Sequence, residues 1–140
     1  MAQLPKPIVF PAHPRVKARL QEFGLLDDLG SKIKVIPPAS YFEMIAWVAG
    51  AKVVLTDSGG LQKEARILEV PCVTLREETE WVETLKEGWN RLAGSDPVNI
   101  LSAASEAAKM PISAPNSASQ MYGGGMASIK IIEKLLNSTL

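Results

Sequence analysis

The sequence contains very few of the residues that form disulfides and metal sites. Among 140 residues there is one cysteine, Cys72, and one histidine, His13. A single cysteine excludes an internal disulfide, and with a single histidine neither a metal-ligand cluster nor a Ser-His-Asp arrangement can be argued. We expect no metal and no cofactor, and we expect Cys72 to be a small buried hydrophobe. Because no signal peptide is visible either, a cytoplasmic location is predicted.

Net charge and long apolar runs are also missing. Fifteen basic residues balance fifteen acidic ones, which argues against a nucleic-acid or membrane-surface role, since both usually need a basic face. No apolar run approaches the roughly 18 residues of a membrane span. However, 46% of the residues are apolar, which is enough for a real core. We therefore predict one domain over residues 1–140.

Short apolar runs alternate with helix-forming segments along the chain. Strands are predicted at residues 8–10, 33–36, 53–55, 70–75 and, as a brief edge strand, 91–93. Helices are predicted at 16–23, 41–50, 79–88 (short and acidic), 97–110 and 127–136. This alternation predicts an α/β fold with a parallel sheet and helices on both faces.

The stretch from Val53 to Ala65 is the centre of this pattern. It predicts a strand, a polar turn with Ser58, Gly59 and Gly60, and then a helix. Free backbone amides at a helix start form a ready anion site, and the two glycines leave the backbone open to a ligand. Glu64, four residues beyond Gly60, could accept hydrogen bonds from a ribose. The same pattern fits an ordinary turn in which Ser58 caps the helix.

Three polar turns follow predicted strands. His13 lies after the first strand, Ser58 after the third and Arg76 after the fourth. Because ligands of parallel sheets bind at the carboxyl ends of the strands, this rim is the predicted site. His13 precedes a proline and also fits a surface turn, and the acidic residues from Glu77 to Glu83 fit a solvated helix start.

The C-terminal part has a different composition. Residues 111–125 are rich in Pro, Ser, Asn and Gly, which predicts a loop, and residues 126–138 return to a helix. Two interpretations fit this segment. The helix could pack across a cleft onto another domain, or the loop could be a long surface connection.

Several motifs in one order resemble the non-hydrolysing UDP-N-acetylglucosamine 2-epimerases. They are Pro11-Ala12-His13-Pro14-Arg15, Thr56-Asp57-Ser58-Gly59-Gly60, Gln62-x-Glu64-Ala65, Val70-Pro71-Cys72-Val73-Thr74-Leu75-Arg76, Thr79-Glu80, Gly88-x-Asn90 and Tyr122-Gly123-x-Gly125-x-Ala127-Ser128. The match runs from about residue 8 to the end of the chain.

The resemblance implies a fold, a reaction and partners. Family members have two Rossmann-like domains facing a cleft, the GT-B arrangement, and convert UDP-GlcNAc to UDP-ManNAc by UDP elimination and re-addition. This chain resembles most of the second domain, without its opening strand. The resemblance implies the UDP-binding portion of a cytoplasmic enzyme of cell-surface polysaccharide biosynthesis, inactive without the N-terminal domain or a separate subunit. A homodimer and a non-catalytic sugar-nucleotide binding or interaction module remain alternatives.

The resemblance also implies residue roles. Ser58, Gly59 and Gly60 would hold the diphosphate and Glu64 the ribose. Met44 falls where the family often has an aromatic residue against uracil.

The resemblance also implies roles for the other residues of the rim. Arg76 and Glu80 would belong to the binding surface, and His13 would face the cleft near a second, regulatory sugar nucleotide of bacterial members. Two further positions depart from the family pattern: Trp81 replaces a nucleotide-binding arginine, and Gly124 replaces a carboxylate.

Overall fold

The computed structural model describes residues 7–29, 33–110 and 122–137. Five strands are present in these ranges: β1 (Ile8–Pro11), β2 (Ile33–Ile36), β3 (Val54–Thr56), β4 (Cys72–Thr74) and β5 (Asn90–Leu92). The α-helices are α1 (Pro14–Glu22), α2 (Tyr41–Gly50), α3 (Gly59–Ile67), α4 (Pro97–Ala107) and α5 (Ala127–Asn137). Two 3-10 helices span Asp27–Leu29 and Val82–Gly88. The predicted alternation of strands and helices is confirmed.

Local side-chain chemistry determines where the helices begin. Ser40 and Glu43 form a capping box at α2, in which each side chain bonds to the backbone of the other residue. Hydrogen bonds from Ser40 also lower the pKa of Glu43. At α4 the carboxylate of Asp96 accepts two backbone amides, and Pro97 occupies the first turn. Both helices therefore begin where the sequence predicts.

All strand pairs are parallel, but they form two sheets instead of the single predicted one. β1 pairs with β2, and β3, β4 and β5 pair in that order. Among the described residues β1 and β3 are not paired with each other. Both strands line a cavity of about 1370 Å³.

The core has two parts, one on each face of the three-stranded sheet. On one face Val54 and Cys72 pack with residues of α2 and α3. On the other face Val73 packs with Ala104 and Ala107 of α4. The predicted helices on both faces are confirmed. Cys72 is buried, and burial raises the pKa of its thiol to about 12, so it is an inert core residue.

The C-terminal elements differ from the prediction in detail. The helix expected over residues 79–88 is a 3-10 helix that begins only at Val82. α5 forms where a helix was predicted, and each of its residues is exposed. Most of the predicted 111–125 loop lies outside the described residues. Of the helices that the structure describes, none combines the length and apolarity needed to cross a bilayer.

Candidate functional site

The turn between β3 and α3 leaves several backbone amides open. Ser58 occupies the N-cap position in an extended conformation, but its hydroxyl makes no capping hydrogen bond. The backbone N–H of Ser58 instead donates to Thr56 Oγ1 at 3.0 Å. The first hydrogen bond of the helix runs from Gln62 N–H to Ser58 O. The amides of the three residues between them, 59–61, precede that bond and form the positive end of the helix dipole.

The two glycines of this turn have different surroundings. A methyl group added at Gly60 would meet nothing nearer than Ser58 Oγ at 3.8 Å. At Gly59 an added methyl would lie 2.6 Å from Glu80 Oε1 and 2.8 Å from Trp81 Nε1. The structure therefore brings the segment after β4 onto the start of α3, and Gly59 makes this close approach possible.

Two of the predicted rim residues form an ion pair beside the turn. Arg76 and Glu80 are joined at 3.1 Å, and both side chains are partly exposed. The pKa of Glu80 is lowered, mainly by a hydrogen bond from its own backbone amide and further by the charge of Arg76. Glu80 therefore stands ionised next to the helix start, with Arg76 balancing its charge.

Lys63 lies against this turn, and the sequence reasoning missed it. Its ammonium nitrogen lies 3.7 Å from the centre of the Trp81 ring, within the range of a cation–π contact. The resemblance implies that Trp81 leaves the turn between β3 and α3 without a positive charge. Lys63, however, places a positive charge against the Trp81 ring. The available signal was spacing, because Lys63 lies four residues after Gly59 and hence one helical turn along the same face.

Other predicted residues lie apart from these contacts. Met44 is half-buried on α2 and packs against the core cluster of Val48 and Val54. Glu64 is half-buried on α3. His13 is exposed, and its Nδ1 accepts the backbone N–H of Arg15, which makes it the cap of α1. No hydrogen bond or ion pair of the described residues joins these three side chains to Gly59.

A buried polar network fixes the Arg76–Trp81 segment, which crosses the start of α3. Gln62 Oε1 accepts hydrogen bonds from Thr79 Oγ1 at 2.6 Å and from Asn90 Nδ2 at 3.2 Å. The Thr79 hydroxyl in turn accepts the backbone N–H of Trp81 at 3.1 Å. Gln62 is completely buried. One α3 side chain thus holds Trp81 and its neighbours against the helix start.

The same hydrogen-bond network continues from Asn90 to two threonines. Asn90 also donates to Thr84 Oγ1 and accepts from Thr74 Oγ1. Sequence reasoning assigned no role to these threonines. The available signal was polar side chains at positions of buried strands, which must find partners when they are buried.

No group of three or more potential metal ligands occurs within residues 7–29, 33–110 and 122–137. The fold and the turn between β3 and α3 together define a parallel α/β domain. In it, a helix with open N-terminal amides begins at the carboxyl edge of the sheet. Proteins of this class bind anionic ligands at such positions.

The chain belongs to the UDP-N-acetylglucosamine 2-epimerase family, whose model matches residues 1–136. It is 46% identical over 136 residues to a UDP-N-acetylglucosamine 2-epimerase homolog of Methanococcus maripaludis, covering 93% of this chain and 36% of that protein. It is 41% identical to the UDP-2,3-diacetamido-2,3-dideoxy-D-glucuronate 2-epimerase of Pseudomonas aeruginosa, covering 92% of this chain and 34% of the relative.

A solved structure is also similar. It is the UDP-GlcNAc 2-epimerase of Methanocaldococcus jannaschii in complex with UDP-GlcNAc and UDP, with a TM-score of 0.72 and 37% identity. The similarity covers 92% of this chain and 36% of that one. The chain therefore spans about a third of the length of these relatives.

Proposed function

We propose that this chain is the UDP-binding portion of a UDP-N-acetylglucosamine 2-epimerase. The observation that supports this most is the open helix start at Gly60, where an added methyl meets nothing nearer than 3.8 Å and where backbone amides and the helix dipole favour a diphosphate. The solved relative from M. jannaschii is a complex with UDP-GlcNAc and UDP, which supports the ligand class.

In this proposal the diphosphate binds to the amides of Gly59 and Gly60 and to the hydroxyl of Ser58. That hydroxyl makes no capping bond within its own helix, so it is available as a donor. Lys63 adds a positive charge on the adjacent turn. The carboxylate of Glu64 accepts hydrogen bonds from the ribose hydroxyls, and Met44 packs against the uracil through its thioether.

Arg76 and Glu80 complete the binding surface beside the diphosphate. Arg76 keeps the neighbouring carboxylate from repelling the ligand, because the two charges are paired at 3.1 Å. His13 follows β1 at the same edge and faces the cleft, where it borders a second sugar nucleotide.

The reaction of the complete enzyme is inversion at C2 of the sugar. UDP is eliminated to give 2-acetamidoglucal and is added back after the proton has returned to the other face. We propose that the N-terminal domain supplies most of the acid and base groups, so that the chain is inactive without that domain or an equivalent subunit. The enzyme acts in the cytoplasm, in cell-surface polysaccharide biosynthesis.

Calorimetric titration of the chain with UDP tests the assigned site. We expect weak but measurable binding, since half of the cleft is absent. The Ser58→Ala, Glu64→Ala double variant should bind at least tenfold more weakly, because each lost charged hydrogen bond is worth about 1.5–3 kcal/mol.

Uridine serves as the ligand control, because it lacks the diphosphate. The chain should bind uridine more weakly than UDP, and the double variant should reduce that preference. Equal heats from the wild-type chain and the double variant would refute the site.

A further inference from the structure

Lys63 lies on the second turn of α3, and its side chain is held against one aromatic ring. Its ammonium nitrogen is 3.7 Å from the centre of the Trp81 ring, and the residue is half-buried. A cation–π contact of this kind restrains a flexible side chain without neutralising its charge. The full positive charge of Lys63 therefore stands at a defined place.

The Trp81 ring connects this charge to the start of α3. Its indole nitrogen Nε1 lies 2.8 Å from the position of a methyl group added at Gly59, so the edge of the ring reaches the first residue of the helix. Lys63 is four residues after Gly59, one turn of about 5.4 Å along the same face. Because helical side chains lean towards the N-terminus, the ammonium group is within reach of a ligand at the amides of residues 59–61.

Two other cations, on α3 and beside its start, are engaged elsewhere. Arg76 forms an ion pair with Glu80 at 3.1 Å. Arg66 is 4% exposed and lies over the Trp89 ring, 5.0 Å from its centre. None of the ion pairs found among the described residues includes Lys63. Of these three cations, Lys63 is therefore the one whose charge is available to a ligand.

A diphosphate needs an available cation here because the surroundings are acidic. Asp57 lies in the turn and Glu64 on the helix. Glu80 Oε1 lies 2.6 Å from the position of a methyl group added at Gly59. The helix dipole contributes only about half a positive charge at its start. With Arg76 paired to Glu80, the amides alone would leave most of the charge of a diphosphate uncompensated.

We propose that the ammonium group of Lys63 binds the diphosphate of the ligand, and that Trp81 is the positioning residue that holds it there. This assignment rests on the proposed function, since it adds a residue to the same UDP site. Lysine carries three N–H donors on one compact charge, which suits phosphate oxygens. The preference for a nucleoside diphosphate over the nucleoside then depends on this one side chain and on the ring beneath it.

The ratio of the dissociation constants of UDP and uridine, measured by calorimetry, tests the proposal. Lys63→Met removes the charge and keeps an unbranched side chain over the ring. It should weaken UDP binding about tenfold, because a hydrogen bond to a charged group is lost. Uridine binding should stay unchanged, which also shows that the variant is folded. Lys17→Met, on the exposed surface of α1, is the matched control and should keep the wild-type ratio.

Variants of Trp81 separate positioning of the ammonium group from packing. Trp81→Leu should reduce the preference for UDP about threefold when Lys63 is present. It should not reduce the preference in the Lys63→Met chain, because the ring acts only through the ammonium group. Trp81→Arg in the Lys63→Met chain should restore the wild-type preference to within about threefold, since it returns a charge next to Gly59. A merely structural role of Trp81 would change UDP and uridine binding alike.

The possible failures are distinguishable from one another. If the wild-type chain does not prefer UDP to uridine, the proposed function is refuted, and the role of Lys63 with it. If the wild-type chain prefers UDP and Lys63→Met keeps that preference, the role of Lys63 alone is overturned. The proposal is also overturned if Trp81→Leu lowers the preference equally with and without Lys63, or if Trp81→Arg restores nothing.

Discussion

At the scale of single residues, Gly60 is the most informative position in the molecule. Space is available for a methyl group there, and alanine is the better helix former by up to about 1 kcal/mol. In the proposed complex, however, that methyl would stand between the ligand and the backbone. We expect Gly60→Ala to keep or raise the free energy of unfolding, while the affinity for UDP falls about tenfold.

Denaturant unfolding and UDP titration measure these two quantities separately. Gly50→Ala is the control, because an added methyl at Gly50 also meets nothing within 4 Å and the residue lies at the end of α2. It should leave UDP affinity unchanged. If Gly60→Ala binds UDP as tightly as the wild-type chain, the ligand does not approach this backbone.

At the scale of elements, the position of the Arg76–Trp81 segment depends on Gln62. Its replacement by alanine leaves the Thr79 hydroxyl and the Asn90 amide without their shared acceptor. Such unsatisfied buried groups cost about 1–3 kcal/mol. We expect Gln62→Ala to lower the free energy of unfolding by that amount and to weaken UDP binding several-fold, because the released segment no longer holds Arg76 beside the turn.

Gln21→Ala, on the exposed surface of α1, is the matched control and should alter neither quantity. A Gln62→Ala chain that unfolds and binds UDP like the wild type would show that the network does not position the site.

Tyr122 joins the segment before α5 to the 3-10 helix after β4. Its hydroxyl donates to Glu83 Oε1 at 3.2 Å. Burial, followed by the charge of Glu83, raises the pKa of Tyr122 from 10.0 to about 12. The folded chain keeps this proton to a higher pH than the unfolded chain, so this contribution is complete below pH 10 and disappears between about pH 10 and 12.

Tyrosinate absorbance of a Tyr41→Phe chain reports Tyr122 alone, since the sequence has two tyrosines. At pH 11, with circular dichroism confirming the fold, Tyr122 should remain mostly protonated. Half-ionisation near pH 10 would contradict the contact with Glu83.

The sequence predicts these elements well where one local signal determines them. Helices were predicted to begin at residues 41 and 97, and the structure confirms both starts, with Ser40 and Asp96 as the caps. The 79–88 segment was misread as one helix, because Thr79 bonds to Gln62 and this long-range contact is invisible to periodicity. The division into two sheets was also missed, since strand pairing depends on contacts between distant residues.

The turn between β3 and α3 shows the same limit of prediction from sequence. Its strand, turn and helix follow from spacing and from the glycines, and the structure confirms them. That Glu80 and Trp81 lie over Gly59, with Lys63 against the Trp81 ring, depends on how the β4 loop folds back. No spacing rule contains that information.

At the scale of the whole molecule, the described residues leave apolar surface uncovered, and two such places bear on the missing part of the family polypeptide. One is the cavity lined by β1 and β3, where Val9 is 53% and Trp47 is 40% exposed. The other is α5, where Ile132 is 57% and Leu136 is 80% exposed. Both fit a chain that makes further contacts with the part of the family polypeptide it does not span. The helix fits the interpretation that it packs onto another domain, and a homodimer remains an alternative for covering it.

The most direct test of the central claim follows the backbone amides of the described residues by NMR during titration with UDP and, separately, with uridine. If α3 begins at a diphosphate site, UDP should shift the Gly59 and Gly60 amides most strongly, and uridine should leave them nearly unchanged. The account is contradicted if UDP shifts other amides while those of Gly59 and Gly60 stay in place.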